Sequence, residues 1–418
     1  MSKGILFLSI MDFTDSGIQV VKLTPEYFAK KGWNVHYAVT RDNSEAGSYH
    51  YQAVVNAKGV NVHRTTMPSC KLGESLKIQV FKTIYSKLRG YVAILKLVKL
   101  GADVLSKNKI EVVYGGGPHG VLAAKLIKVI NFNRKIYTVS RYYGVWDLYS
   151  KTMAENRWFK MLLNIDILAS LYLKADLKII TNDGTQGDKA LQSINSKELN
   201  VLKFWVNGTD KPILIDEDIN DLKKYLCIEG SFVVVCVTRL VSIKRIDRCI
   251  QVAATAVHKN GMKNLKLIIV GDGVERARLE KMVSDLAIEG NVIFVGAINN
   301  CQVRSYLAVA NVFLSMYDVS NVGNPLLEAV RANNIIFTLN NGDTSAWIKH
   351  GFNGFIYDVN DVMIEKMAED IFELAQNFAR QEFIKNNLKI TESEMLWTWD
   401  ERLQAEFSEI EKMVEVYT

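Results

Sequence analysis

The chain has 418 residues, 49% of them hydrophobic, with 51 basic against 45 acidic side chains. That length and composition exclude a disordered chain and suit two domains, each with its own core. Five scattered cysteines with no Cys-x-x-Cys spacing exclude a disulfide or zinc framework and indicate free thiols in a reducing compartment. The net charge of +6 hides an asymmetry: residues 1–207 hold 29 Lys and Arg against 15 Asp and Glu, a net of +14, which leaves −8 for residues 208–418.

The opening MSKGILFLSIMDF enters an apolar run that Asp12 and Asp15 soon interrupt, so it reads as a first strand and not as a signal peptide. No later window approaches the ~20 uncharged apolar residues of a membrane span. A cytoplasmic protein is expected, at most peripheral on the inner face of the cell membrane. From here apolar runs alternate with segments of helical period, the pattern of parallel α/β architecture. In the first half GILFLSI, NVHYAVT, EVVYGGG, KIYTVS and LKIITN are expected strands; in the second, FVVVCVT, LKLIIVG, NVIFVG, NVFLSM and NIIFTLN. Each set predicts one doubly wound Rossmann-like sheet, with ligands at the carboxyl ends of the strands in a cleft where the two sheets face each other.

Between NVHYAVT and EVVYGGG, the stretch Lys71–Lys109 reads as a helix. Its Lys77, Lys82, Lys87, Arg89, Lys96 and Lys99 are interleaved with Ile, Val, Phe, Leu and Tyr, which suits an anionic membrane surface, an anionic acceptor or a solvated face. No nucleic-acid module is recognisable, and no nucleic-acid partner is expected. Residues 207–230 are polar and acidic and read as a linker. The tail LWTWDERLQAEFSEIEKMVEVY reads as a helix that crosses back to brace the first domain.

Three stretches carry chemistry. In VVVCVTRLVSIKRID a strand ends at Thr238 and delivers Arg239 and then Lys244, two cations suited to a diphosphate. LKLIIVGDGVERARLEKM and NVIFVGAINN place glycines, among them Gly296, at the ends of strands. A lone G-x-G is weak as a signal because tight turns need glycine anyway. In DVSNVGNPLLEAV a strand leads through Gly323 into a helix with Asn324 as expected N-cap and Pro325 as first helical residue, and Glu328 is expected within its first turn. A helix start behind a bare loop suits an anion.

Taken in order, TRLVSIKRID, VGDGVERARLE, VIFVG, NPLLEAV and GDTSAWIKHGFNGFIY resemble the carboxyl-terminal domain of retaining glycosyltransferases of the GT-B fold, the family 4 group that uses nucleotide sugars. FWVNGTD resembles that family's Asn-Gly-Val-Asp interdomain motif, and ADLKIITN the strand before it. The resemblance spans most of residues 3–410 and is stronger in the second half. It implies two Rossmann-like domains: residues 1–207 binding the acceptor, 208–230 linking, 231–395 binding the donor, and 396–418 returning as a helix to the first domain. Arg239 and Lys244 would hold the donor diphosphate, Glu328 would accept hydrogen bonds from the ribose, and the backbone of Val322, Gly323 and Asn324 would reach phosphate or sugar. Gly17 occupies the family's opening glycine loop. His119, near a helix start, is expected to stay neutral through the helix dipole and to bond donor or acceptor, a structural role being the other reading.

Two departures stand out. The first glutamate of the family's Glu-x7-Glu motif is Ser320 here, followed by Asn321, which together are expected to replace its contacts with the donor sugar; Tyr143 stands where the family often has histidine. The activity implied is a metal-independent, cofactor-free hexosyl transfer from a UDP-sugar, or failing that a GDP-sugar, to a saccharide or lipid-linked glycan in bacterial surface polysaccharide or glycolipid synthesis. An epimerase of the same fold and a noncatalytic nucleotide-sugar-binding protein are the alternatives. Asp216-x-Asp218 imitates the metal-binding pair of the GT-A fold, but its acidic setting between two complete sheets identifies solvated carboxylates.

Overall fold

The structure is a computed structural model that describes residues 2–14, 18–42, 54–69, 73, 75, 78–145, 148, 157–211 and 216–415. It divides into two units. The first comprises Met1–Asn182, Gly187–Trp205 and Asp400–Thr418; the second comprises Asp183–Gln186 and Val206–Trp399. Residues 208–230, expected to link the domains, belong to the second unit and contain the helix Asp216–Tyr225.

The first unit is built on seven parallel strands: β1 Gly4–Ser9, β2 Asn34–Asp42, β3 Val60–Met67, β4 Val112–Gly116, β5 Tyr137–Tyr142, β6 Leu177–Thr181 and β7 Leu202–Trp205, in the order β3-β2-β1-β4-β5-β6-β7. All five strands expected in this half are present. The two not foreseen, β3 and β7, are the edges, where one flank faces no neighbour and the apolar pattern weakens: VNVHRTTM is only partly buried. The helix Gln79–Lys107 packs Ala93, Ile94, Leu97, Val104 and Leu105 into the core. Its interior Gly90 is the spot against which His119 rests; a Cβ there would lie 2.5 Å from His119 Nε2.

The last helix, Trp399–Glu415, belongs to this unit from Asp400 onward, and its partners give the reason. Phe407 packs edge-on or tilted against Tyr27, Phe28 and Trp33. Gln404 accepts a 2.7 Å bond from Tyr27, and the buried Glu406 accepts from Arg402 at 2.8 Å and from Tyr114 at 2.5 Å.

The second unit has six parallel strands: β8 Phe232–Val237, β9 Leu265–Val270, β10 Val292–Gly296, β11 Val312–Ser315, β12 Ile335–Leu339 and β13 Phe355–Tyr357, in the order β10-β9-β8-β11-β12-β13. Here again the unforeseen strand, the three-residue β13, is an edge. Both faces of the sheet are covered by apolar clusters, which is why its strands read as unbroken apolar runs. The order reverses between β8 and β11. In a doubly wound sheet the carboxyl ends flanking that reversal leave room for a ligand.

Candidate functional site

Within the second unit, the loops after β8 and β11 flank the reversal. β8 passes Thr238 to Arg239, which is exposed, and a short 3-10 turn Ser242–Lys244 follows. The glycines of the G-D-G turn serve this loop: a Cβ on Gly271 would lie 1.9 Å from the Thr238 carbonyl oxygen, so only glycine lets β9 exit against the Arg239 backbone. Leu240 N–H then bonds the Asp272 carbonyl at 3.0 Å.

Lys244 is partly buried, with its Nζ 3.8 Å from the centre of the Tyr317 ring. Among the described residues no carboxylate comes within salt-bridge distance of it. Burial, with the Arg239 charge adding to it, pulls its pKa down to about 8, against the attraction of Asp183. Tyr317 in turn donates to the Val237 carbonyl at 3.0 Å and so ties the exits of β8 and β11 together. Arg245 and Arg248 face the other way, both bonded to Asp318 at 3.4 and 2.8 Å.

Asp183 was not singled out in the sequence, although Asp-Gly-Thr directly after a strand is a turn signal. Its Oδ1 accepts from Thr185 Oγ1 at 2.6 Å, and burial lifts its pKa to about 6. The short segment Asp183–Gln186 is clamped into the second unit by three contacts. Ser320 donates to the Asp183 carbonyl at 2.7 Å, Asp343 N–H to the Gly184 carbonyl at 3.1 Å, and Gln186 to Asp343 at 3.2 Å. The fit is close enough that a Cβ on Gly342, which has φ +56°, would lie 2.0 Å from the Gly184 oxygen.

Ser320 and Asn321, expected beside the donor sugar, are both bonded within this part of the second unit. Ser320 spends its hydroxyl on the Asp183 carbonyl and on Val322 N–H, 3.1 Å away. Asn321 is buried and bonds Tyr317 N–H at 3.0 Å and Asn341 at 2.9 Å. The two shape the loop from inside it, and the side chain of Val322 is buried. The helix that follows, Asn324–Arg331, has Gly323 as its N-cap in place of Asn324, because Asn324 Oδ1 is taken by Asn207, which donates to it at 2.8 Å. Bare space surrounds Gly323: a Cβ there would meet only Pro325, at 3.8 Å.

Glu328 is partly buried and, among the described residues, accepts no hydrogen bond on its carboxylate. Burial raises its pKa to about 7, against the opposing charge of Arg304. Gly296 closes β10 with φ +85°, two strands from β8, and its carbonyl accepts from Gly271 at 2.9 Å; it shapes the neighbouring turn.

In the first unit His119 lies 3.9 Å from Asp166, which Lys87 also engages at 2.7 Å. Its pKa is lowered chiefly by burial and further by Lys87, against Asp166. Tyr143 stacks under Arg141 at 5.2 Å and borders a small pocket with Ser9, Thr24, Tyr37, Tyr114 and Gly116. Gly17 lies outside the described residues. Asp216 begins the helix Asp216–Tyr225 and Asp218 is exposed on it; residues 212–215 lie outside the described residues. Among the described residues no three His, Cys, Asp or Glu group as metal ligands, and Cys227, Cys236, Cys249 and Cys301 are free thiols.

Comparison with known proteins assigns the second unit. Residues 218–390 match the family described as Glycosyl transferases group 1, so the chain carries a glycosyltransferase group 1 domain. It is similar to N-acetyl-alpha-D-glucosaminyl L-malate synthase of Bacillus anthracis, 28% identical over 37% of this chain and 40% of that protein. It is also similar to alpha-monoglucosyldiacylglycerol synthase of Acholeplasma laidlawii, 24% identical over 46% of this chain and 47% of the relative. The matched stretches thus span less than half of each relative's length. As a fold, the chain superposes on the crystal structure of HepE of Anabaena in complex with UDP, with a TM-score of 0.69 and 15% identity, over 98% of this chain and 99% of that one. Both units therefore have the Rossmann-like α/β architecture of GT-B glycosyltransferase structures.

Proposed function

We propose that the protein is a retaining glycosyltransferase that moves a hexosyl group from a nucleotide-diphosphate sugar to a saccharide or lipid-linked acceptor. One observation carries the reading. At the reversal of the second sheet, Lys244 is held below its usual pKa beside Arg239 with no carboxylate in contact among the described residues, while Glu328, on the helix Asn324–Arg331 after β11, accepts no hydrogen bond from them either. A donor supplies what both lack. Its diphosphate would neutralise Arg239 and Lys244 and its ribose hydroxyls would donate to Glu328, and the N–H groups at Gly323 and Asn324 would face phosphate or sugar.

As the bond to the anomeric carbon breaks, the departing nucleotide gains negative charge, and the two cations would stabilise that charge more than they stabilise the bound donor. Lys244 also has its proton in place at neutral pH. With no nucleophilic carboxylate assigned, the acceptor hydroxyl would attack from the face the nucleotide leaves, through an oxocarbenium-like state, with retention. The first unit would bind the acceptor, and His119 would serve it as a neutral hydrogen-bonding group. A UDP-sugar is the favoured donor, since the fold neighbour HepE was crystallised with UDP. The names of the two curated relatives favour a bacterial small-molecule or lipid acceptor. Metal independence is part of the proposal.

The test is donor consumption across UDP-, GDP- and ADP-sugars with and without acceptor, in EDTA, with the anomeric configuration of the product read by NMR. Acceptor-dependent consumption with retention supports the reading. Epimer formation without acceptor would favour an epimerase, no consumption alongside nucleotide-sugar binding would leave a binding protein, and activity restored only by a divalent ion would overturn metal independence.

A further inference from the structure

The helix Gln79–Lys107 is apolar on two sides. One side fills the core of the first unit. Along the other run Phe81, Ile84, Leu88, Tyr91 and Leu95, all exposed, with Phe81 at 53%, Leu88 at 58% and Leu95 at 66% of their full area. The spacing of three and four residues makes this a single stripe, about 21 Å long at 1.5 Å per residue. The structure also corrects the sequence reading of this helix. Lys87 bonds Asp166, Arg89 bonds the Pro68 carbonyl and Lys96 bonds the Thr66 carbonyl, so three of the cations expected to face a partner are spent inside the unit. What the helix offers outward is apolar.

The Lys87–Asp166 bond fastens a second element beside the stripe. Asp166 opens the helix Ile165–Tyr172, and Ile165 next to it is exposed, as are Leu162 and Trp158 of the preceding helix Trp158–Leu163. Trp158 is 68% exposed. Soluble monomers seldom leave so much contiguous apolar surface without a partner.

We propose that this face of the first unit seats on an anionic lipid bilayer, with the stripe and Trp158 entering the headgroup boundary. Charge chooses the lipid over a second copy of the chain. Of the helix's six basic residues, Lys87, Arg89 and Lys96 are bonded within the unit and Lys107 pairs with Asp103, so Lys82 and Lys99 are the cations left beside the stripe among the described residues. A two-fold self-contact through the stripe would set these two lysines against their own copies, whereas an anionic surface neutralises them. Lys82 and Lys99, which have no acidic partner among the described residues, stand where headgroups would lie. Long lysines beside an apolar stripe, with tryptophan at the margin, are the composition of an interfacial helix. No helix of the described residues is long and apolar enough to cross a membrane, so the attachment is to the surface. The proposal is independent of the chemistry assigned to the second unit.

The full chain is sedimented with vesicles of 30% phosphatidylglycerol in phosphatidylcholine and with phosphatidylcholine alone. Binding is expected on the anionic vesicles. A Phe81→Ser, Leu88→Ser, Leu95→Ser triple variant should bind at least tenfold less while keeping its melting temperature and its thermal shift with nucleotide. Lys82→Glu with Lys99→Glu should lose severalfold, chiefly at low salt. Brominated lipids should quench wild-type fluorescence more than that of Trp158→Phe, a check that does not depend on the triple variant. The proposal is overturned by equal binding of wild type and triple variant, by absence of wild-type binding, or by a lipid-free dimer that the triple variant converts to monomer.

Discussion

Two lysines invite comparison. Lys178, on β6 of the first unit, is fully buried, lies 3.1 Å from Glu198 and donates to the Leu171 carbonyl. Lys244, after β8 of the second unit, lies over the Tyr317 ring with no carboxylate in contact among the described residues. Burial depresses both pKa values, yet only Lys178 has its counter-charge built into the fold. A closed pair holds a structure together; an open cation at a strand's carboxyl end is kept at a cost in stability, which is characteristic of a binding site.

The sharpest way to break the comparison is to remove what shapes the loops around Lys244. Gly342→Ala forces a side chain at φ +56° into the Gly184 carbonyl, where backbone meets backbone and neither yields. A loss of about 4 kcal/mol or more is expected, seen as loss of the second unit's unfolding transition in calorimetry. Next in size is Lys178→Met, which strands the buried Glu198. It should cost about 3–5 kcal/mol by denaturant titration and leave the nucleotide affinity of the folded protein unchanged.

Lys244→Met should do the reverse. The folded pKa of about 8 lies below the ordinary value of 10.5, so the penalty is complete below pH 8 and fades as pH rises toward 10.5. Removing the lysine should therefore raise the ligand-free melting temperature at pH 7. The same titration predicts that nucleoside diphosphate affinity of the wild type falls roughly tenfold between pH 7 and pH 9 as the ammonium is lost, or about 1.4 kcal/mol. Calorimetry across that range checks it, and Lys244→Met should flatten the profile.

A shift of similar size belongs to Glu328. Its folded pKa of about 7 lies above the ordinary 4.5, so the stability linked to its proton is whole below pH 4.5 and lost as pH rises through 7. Glu328→Gln should raise the melting temperature most at pH 8.5, at roughly 2–4 °C per kcal/mol, by less than half as much at pH 5.5, and hardly at all at pH 4.

The interior strands were legible because both faces of each sheet are covered, so they appear as continuous apolar runs. The edges β3, β7 and β13 were not, being short or partly exposed. The positions of Arg239 and Lys244 after a strand and of Glu328 on the helix after a bare loop were legible from their order in the sequence. Asp183 was missed because its link to Ser320 joins residues 137 apart in sequence. Ser320 and Asn321 were read as contacts for a ligand because a polar residue in a loop carries no mark of which way it bonds. The outward stripe of the helix Gln79–Lys107 was overlooked for a related reason. Spacing shows that a helix is apolar on two sides but not which side is covered, and the cations drew attention that their internal bonds do not support.

The central claim is that the second unit binds a diphosphate through an unpaired Lys244. The direct measurement is calorimetric titration of wild type and Lys244→Met at pH 7 with the best-binding of UDP, GDP and ADP, and with the matching nucleoside. The wild type should bind the diphosphate at least tenfold more tightly than the nucleoside, a charge-assisted contact being worth roughly 1.5–3 kcal/mol. The variant should lose most of that preference and retain its nucleoside affinity. A diphosphate preference that survives intact in Lys244→Met would contradict the account.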